Sequence, residues 1–198
     1  KNAILSEKPD VVILATGAHP RDLSGVDILP SPEQNGIARL FGIDVLRGAR
    51  VPGRKAVVVG GRYIGMECAV RLAEQGYETS MISVYDDQSV LFCSWSVVLS
   101  GVILRIRGIM FRRMMEAGVR LFPSSSVFRL TRHQVEIAHG GSVFPIDADA
   151  VILAIGTVPD KSLQEHDFGV PTHVIGDCRR IGDARDAVAQ GTELGLLL

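Results

Sequence analysis

At 198 residues the chain has room for one large domain or two small ones, and enough length to bury a real core. It is 46% hydrophobic, only 6% aromatic and carries 21 Gly. That balance suits α/β architecture, in which buried parallel strands are Val/Ile/Leu runs and glycines fill the turns. A formal net charge of −1 with no basic block argues against nucleic acid or an anionic membrane as partner.

Cys68, Cys93 and Cys178 are scattered and form no CxxC pair. They fit reduced thiols of a cytoplasmic protein, each a small buried hydrophobe, and supply no metal or iron–sulfur ligand set. The opening Lys1-Asn-Ala-Ile-Leu-Ser-Glu-Lys8 is not a signal peptide. Because Lys1 stands just before a strand that normally closes a domain, the chain is expected to be a piece of a longer protein. From Gln88 to Leu104 no residue is charged. That stretch is shorter than the ~20 residues of a membrane span and is broken by Ser94, Ser96, Ser100 and Gly101, so a buried helix or a domain interface is expected.

In chain order, Val11 to Leu14 is an apolar run followed by Ala15-Thr-Gly17 and Pro20, which predicts a buried strand ending in a turn. Arg21 to Gly53, with Pro30, Pro32 and Pro52, reads as a connection holding one short helix around Gly36 to Leu46. Lys55 to Val59 is the next strand. Apolar Met66, Val70 and Ala73 predict a helix over Gly65 to Gln75, closed by Gly76, and Thr79 to Val84 follows as a strand. Ile106, Ile109, Met110, Met114 and Ala117 recur at helical spacing over Arg105 to Ala117. Val119 to Phe122, Val127 to Leu130, Gln134 to Ala138 and Ser142 to Ile146 are short strands, the last two joined by a His139-Gly-Gly141 hairpin. Ala150 to Ala154 is another buried parallel strand, Thr172 to Ile175 the last strand and Ala184 to Leu197 the last helix.

One phrase occurs twice. Asp10-Val-Val-Ile-Leu-Ala-Thr-Gly17-Ala-His-Pro20 returns as Asp149-Ala-Val-Ile-Leu-Ala-Ile-Gly156-Thr-Val-Pro159, and between the copies lies Val57-Val-Val-Gly60-Gly-Arg-Tyr-Ile-Gly65-Met-Glu67. A repeated strand and turn around such a loop predicts one nucleotide-binding domain, residues 54–156, inserted into another formed by residues 1–53 and 157–198.

A strand running into Gly60-x-x-x-x-Gly65 and then a helix is the setting of a pyrophosphate site, because the helix N-terminal amides and dipole favour negative charge there. Gly60, Gly61, Arg62, Tyr63, Ile64 and Gly65 are the candidate contacts. A glycine turn kept only for close helix–sheet packing is the plainer alternative. Arg62 replaces the usual middle glycine; it either pairs with the phosphates or blocks them. The ribose position at the end of the second strand falls on Ser83, with Asp86 and Asp87 following and no cation from there to Ser94. A 2′-phosphate would require a cation, so NADH is preferred over NADPH. His19, His133, His139, His166 and His173 form no cluster, and none is given a catalytic role.

Val57 to Met81, with its Tyr63-Ile-Gly65-Met-Glu67, resembles the NAD(P)H domain of flavoproteins built from two dinucleotide-binding domains. Val174-Ile-Gly176-Asp177-Cys178 resembles the second FAD signature of that group, and Ala15-Thr-Gly17 its connecting motif. Val45-Leu-Arg-Gly48, the IGDC and Ala187-Val-Ala-Gln-Gly191 look most like the carboxy-terminal region of NADH:flavin oxidoreductases related to 2,4-dienoyl-CoA reductase and 2-enoate reductase. The resemblance implies a Rossmann-like NAD(P)-binding domain, with parallel sheet, helices and a small β-meander, inserted into a partial FAD-binding domain. It implies Tyr63 as a ring near the flavin, Glu67 near the nicotinamide and Asp177 on the FAD ribityl chain. Ala15, Thr16, Gly17, Ala154, Gly156 and Gly176 complete the expected cofactor contacts. The positive end of the helix from Ala184 would stabilise charge on the reduced ring.

The first FAD signature of that group is not found upstream of Asp10. The resemblance therefore implies an upstream FAD half-domain and an FMN barrel as partners, and leaves a homo-oligomer open. Alone, the chain is expected to hold FAD poorly and to turn over no substrate. Two rivals stand: a vestigial nucleotide site holding ADP, as in amine-dehydrogenase-like flavoproteins, and a non-catalytic interaction module docking through the uncharged segment.

Overall fold

The computed structural model describes residues 2–21, 37–84 and 102–198, with backbone only over 102–107. Asp86, Asp87, Cys93 and all but the last three residues of the uncharged segment lie outside the described residues. Two compact units emerge: a larger one of residues 22–155, and a smaller one that joins residues 1–21 to 156–198. The larger unit is thus inserted between the two segments of the smaller.

The smaller unit begins with α1 (Asn2–Ser6), β1 (Val12–Leu14) and β2 (Ala18–Pro20), and ends with β11 (Thr157–Pro159), β12 (Thr172–Val174) and α5 (Ala184–Gly195). β1 pairs in parallel with β12, and β2 pairs antiparallel with β11. The tails of the repeated phrase therefore hydrogen-bond to each other, with His19 opposite Val158. The β2–β11 pairing was not foreseen, because three-residue strands containing proline carry no readable alternation. Val12, Leu14 and Phe168 form the small core of this unit.

The larger unit is built on a five-stranded parallel sheet of β3 (Ala38–Phe41), β4 (Lys55–Val59), β5 (Glu78–Ile82), β6 (Arg120–Phe122) and β10 (Ala150–Leu153), in the order β3-β10-β4-β5-β6. Central strands are buried on both faces, which is why their sequence is continuous apolar residue. Ala56, Val58, Ala150 and Ile152 pack toward α2 (Gly42–Leu46), α3 (Tyr63–Glu74) and α4 (Val102–Glu116). Val57, Val59, Val151 and Leu153 pack instead toward a meander of β7 (Ser125–Leu130), β8 (Gln134–His139) and β9 (Ser142–Asp147). Each fully buried Val or Ile here is worth about 1.5–3 kcal/mol. The β8–β9 turn is Gly140-Gly141, both at positive φ (56° and 81°), as a two-residue hairpin turn that follows strand twist requires.

Three expectations need correction. The stretch expected as one helix up to Leu46 is a strand, β3, followed by the short α2; short apolar runs do not distinguish the two, and pairing with β10 decides it. Ile109, expected on the buried stripe of α4, is 53% exposed, while Met110 and Met114 are buried. α3 starts at Tyr63 rather than Gly65, because Arg62 already serves as its N-cap.

At the entry to β4 the chain is clamped. Gly53 has φ +70°, and a side chain there would overlap the side chain of Asp149. The Asp149 carboxylate accepts from the amides of Arg54 at 2.8 Å and Lys55 at 2.9 Å, joining the start of β4 to the start of β10. Those two amide bonds hold its carboxyl below the usual carboxylate range. Its folded pKa is depressed, so its contribution is complete at neutral pH and is lost as pH falls through the folded pKa. Asp149→Ala should cost about 1 kcal/mol at pH 7, and the gap to wild type should close below about pH 4. Urea unfolding curves across that pH range test both.

Candidate dinucleotide-binding site

β4 ends at Val59 and the chain turns at once through Gly60, whose φ is +117°. The Gly60 amide donates to the Ile82 carbonyl at 2.9 Å, tying the turn to the end of β5. A side chain on Gly60 would run into the backbone carbonyl of Ala154, and one on Gly65 into the carbonyl of Gly60. The Ala154 methyl lies 3.4 Å from where the Gly65 Cβ would be. These glycines let the first turn of α3 rest directly on the sheet, with Gly61 buried between them. The structure thus brings Gly60, Gly65 and Ala154 together.

Arg62 stands at the N-cap of α3 with φ −89° and ψ −174°, ordinary extended backbone that any residue adopts. The missing middle glycine therefore strains nothing. The Arg62 side chain makes no cap bond to this helix N-terminus, and the first turn carries no acid. The exposed Arg62 places a cation at the positive end of the helix dipole.

Tyr63 and Ile64 are half-buried and pack against the helix-side core. Glu67 is exposed on α3. Ser83 follows β5 and is buried at 1% exposure; its amide donates to Phe122 and its carbonyl accepts from Ser125. Gly42 and Cys68 also meet at this junction, and neither was singled out from the sequence.

In the smaller unit the candidate residues fall into two groups. The Thr16 hydroxyl donates to the Asp160 carbonyl at 2.9 Å, the Asp160 amide donates to Gly17, and the Arg21 amide to Gly156. Gly17 (φ +77°), Gly156 (φ +99°) and Gly176 (φ +69°) have nothing within 4 Å of an added Cβ, so their glycines serve turn geometry rather than close packing. Ala15 is exposed beside them. The Gly176 amide donates to Gln190 at 2.9 Å, and Asp177 accepts from the Gly182 amide at 3.1 Å through Oδ1. Asp177 Oδ2 has no partner among the described residues, so an acceptor for a hydroxyl remains, as a polyol chain would need.

The N-terminus of α5 is different. Asp183 Oδ1 accepts from the amides of Arg185 and Asp186, while the Asp186 carboxylate accepts from the Asp183 amide. The amides of Asp183, Arg185 and Asp186 are thereby taken, and two carboxylates lie at the positive end of the dipole.

A Ser–His contact also exists, but as a structural brace: the Ser125 hydroxyl donates to Pro123 at 2.8 Å and lies 2.9 Å from His139 Nδ1. Cys68 and Cys178 are buried free thiols. Among the described residues no helix is long and apolar enough to cross a membrane.

The chain is 28% identical to a bilirubin reductase of Mediterraneibacter gnavus over 95% of its own length and 27% of that protein's. It is 28% identical to a cinnamate reductase of Clostridium sporogenes, over 93% of this chain and 26% of the relative. A solved 2-naphthoyl-CoA reductase in complex with 2-naphthoyl-CoA superposes with a TM-score of 0.76 at 24% identity, covering 100% of this chain and 28% of that one. The chain thus spans about a quarter of the length of the curated relatives it matches. Residues 6–177 match the family described as pyridine nucleotide-disulphide oxidoreductase, and the chain belongs to that family of Rossmann-like oxidoreductases.

Proposed function

We propose that this chain is the NAD(P)H- and FAD-binding module of a flavoprotein oxidoreductase, passing hydride from NAD(P)H to FAD within a larger enoate- or dienoyl-CoA-reductase-like protein. The observation that carries the reading is the turn at the start of α3. There a glycine crossing sits flat on the sheet, and the first turn of the helix carries no acid and no cap bond from the side chain of its own N-cap residue. A glycine crossing at a helix start of this kind suits an anion such as a diphosphate. The reductases that the chain resembles, each about four times its length, support the wider assignment.

In this reading the backbone from Gly60 to Gly65 holds the diphosphate and Arg62 pairs with it. Glu67, one turn further along α3, orients the nicotinamide end. When bound, the nicotinamide supplies the hydride. The protein's part is binding and orientation, and no side chain here is required as acid or base. Asp177, with Oδ2 open to a hydroxyl, holds the flavin polyol, while the remainder of the flavin site and the reducible substrate belong to partner domains. NADH is the preferred coenzyme.

Arg62 in place of the middle glycine also favours a second reading, a site that keeps only the ADP portion. Titration of NADH, NADPH and ADP into the chain separates the two. A working dinucleotide site should bind NADH at least about tenfold tighter than ADP, a difference of about 1.4 kcal/mol, whereas equal affinities would point to the vestigial site. Gly65→Ala should cost about tenfold or more in NADH affinity, because the methyl displaces the Gly60 carbonyl. Arg62→Gly should weaken NADH binding several-fold, about 1 kcal/mol; tighter binding would show that the arginine obstructs the site.

A further inference from the structure

Gly42 opens α2, yet it is not among the residues at positive φ, so it does not need glycine's backbone freedom. In a helix alanine is favoured over glycine by about 1 kcal/mol. The reason for glycine here is space. A Cβ at Gly42 would lie 2.7 Å from Ile64 Cγ2, 3.3 Å from Cys68 Sγ and 3.4 Å from the Ala154 methyl. The Cys68 thiol donates to the Gly42 carbonyl at 3.3 Å. Cys68 is fully buried, and burial pushes its thiol up to about 12, so it remains a protonated donor. Ala154 is in turn the residue against which Gly60 and Gly65 pack.

We infer that Gly42 and Cys68 form a socket for the first turn of α3, setting its height and tilt, and are positioning residues for dinucleotide binding. Neither needs to touch the ligand. Ile64 sits between Tyr63 and Gly65, so a displacement of its side chain moves the amides proposed to face the diphosphate. Cys68, one turn on, fixes the helix axis through its sulfur. The inference rests on the reading of the Gly60–Gly65 turn as the diphosphate site.

The test uses the whole chain carrying Gly42→Ala, Cys68→Ala or Cys68→Ser. Three readouts are taken: NADH and ADP dissociation constants, thermal midpoint, and amide exchange over residues 62–66. Gly42→Ala should weaken NADH and ADP alike by about tenfold and speed exchange at residues 64–66. Cys68→Ala should weaken both by roughly threefold and Cys68→Ser should recover most of that loss, since serine keeps a donor. Adding Gly42→Ala to Ile64→Ala should cost little further affinity, the signature of a shared contact. Variants that melt earlier but bind as wild type, with unchanged exchange at 62–66, would overturn the socket and leave only core packing. Should the unmodified chain bind neither NADH nor ADP, the functional reading falls. Exchange at 62–66 then judges the socket alone, faster exchange in Gly42→Ala supporting it and unchanged exchange overturning it.

Discussion

The carbonyl oxygen of Gly60 occupies the space a side chain on Gly65 would take, and the carbonyl of Ala154 occupies the space of a side chain on Gly60. This interlock brings α3 onto the end of the parallel sheet with no side chain between. Backbone amides at the helix start can then come close to a ligand, and the sheet beneath cannot yield, because Val57, Val58, Val151 and Ile152 are completely buried. Packing density makes the position of that turn a property of the whole layer rather than of a loop. The glycines that shape it differ in kind from Gly17, Gly156 and Gly176, which only turn the chain.

Two helices of equal length, α3 and α5, treat their N-termini in opposite ways. α5 closes its own with a reciprocal pair of aspartates, a stable local solution that leaves little for a ligand. α3 does without one: Arg62 caps with backbone only, and Tyr63, Ile64 and Gly65 contribute no carboxylate. An isolated helix would lose stability that way. Here burial of Met66, Ala69, Val70 and Leu72 against the sheet holds the helix regardless, so the open terminus is tolerated by tertiary packing.

Family membership establishes the redox class and the fold, and the chain matches only about a quarter of the relatives' length. In the proposed reading a small backbone device, which one sheet and one helix can build, recognises the dinucleotide.

Much of this was legible from the chain alone, for reasons that can be named. Buried parallel strands are written as unbroken runs such as Lys55–Val59 and Ala150–Leu153, and the glycine crossing at Gly60 requires a residue with no Cβ, so local composition reports it directly. The repeated phrase also announced the insertion. What it did not announce is that its tails, Ala18–Pro20 and Thr157–Pro159, pair with each other, since long-range partners leave no trace in three residues. Nor could spacing show that Ala38–Phe41 is an edge strand, that the start of α5 is filled by its own acids, or that Gly42 is small on account of Ile64, 22 positions along the sequence. Sequence by itself determined the long elements and the turn, because hydrophobic period and glycine requirements are local. Only the tertiary structure decided which small residues must meet and which helix end stays open, because shared space between distant segments exists nowhere but in the folded chain.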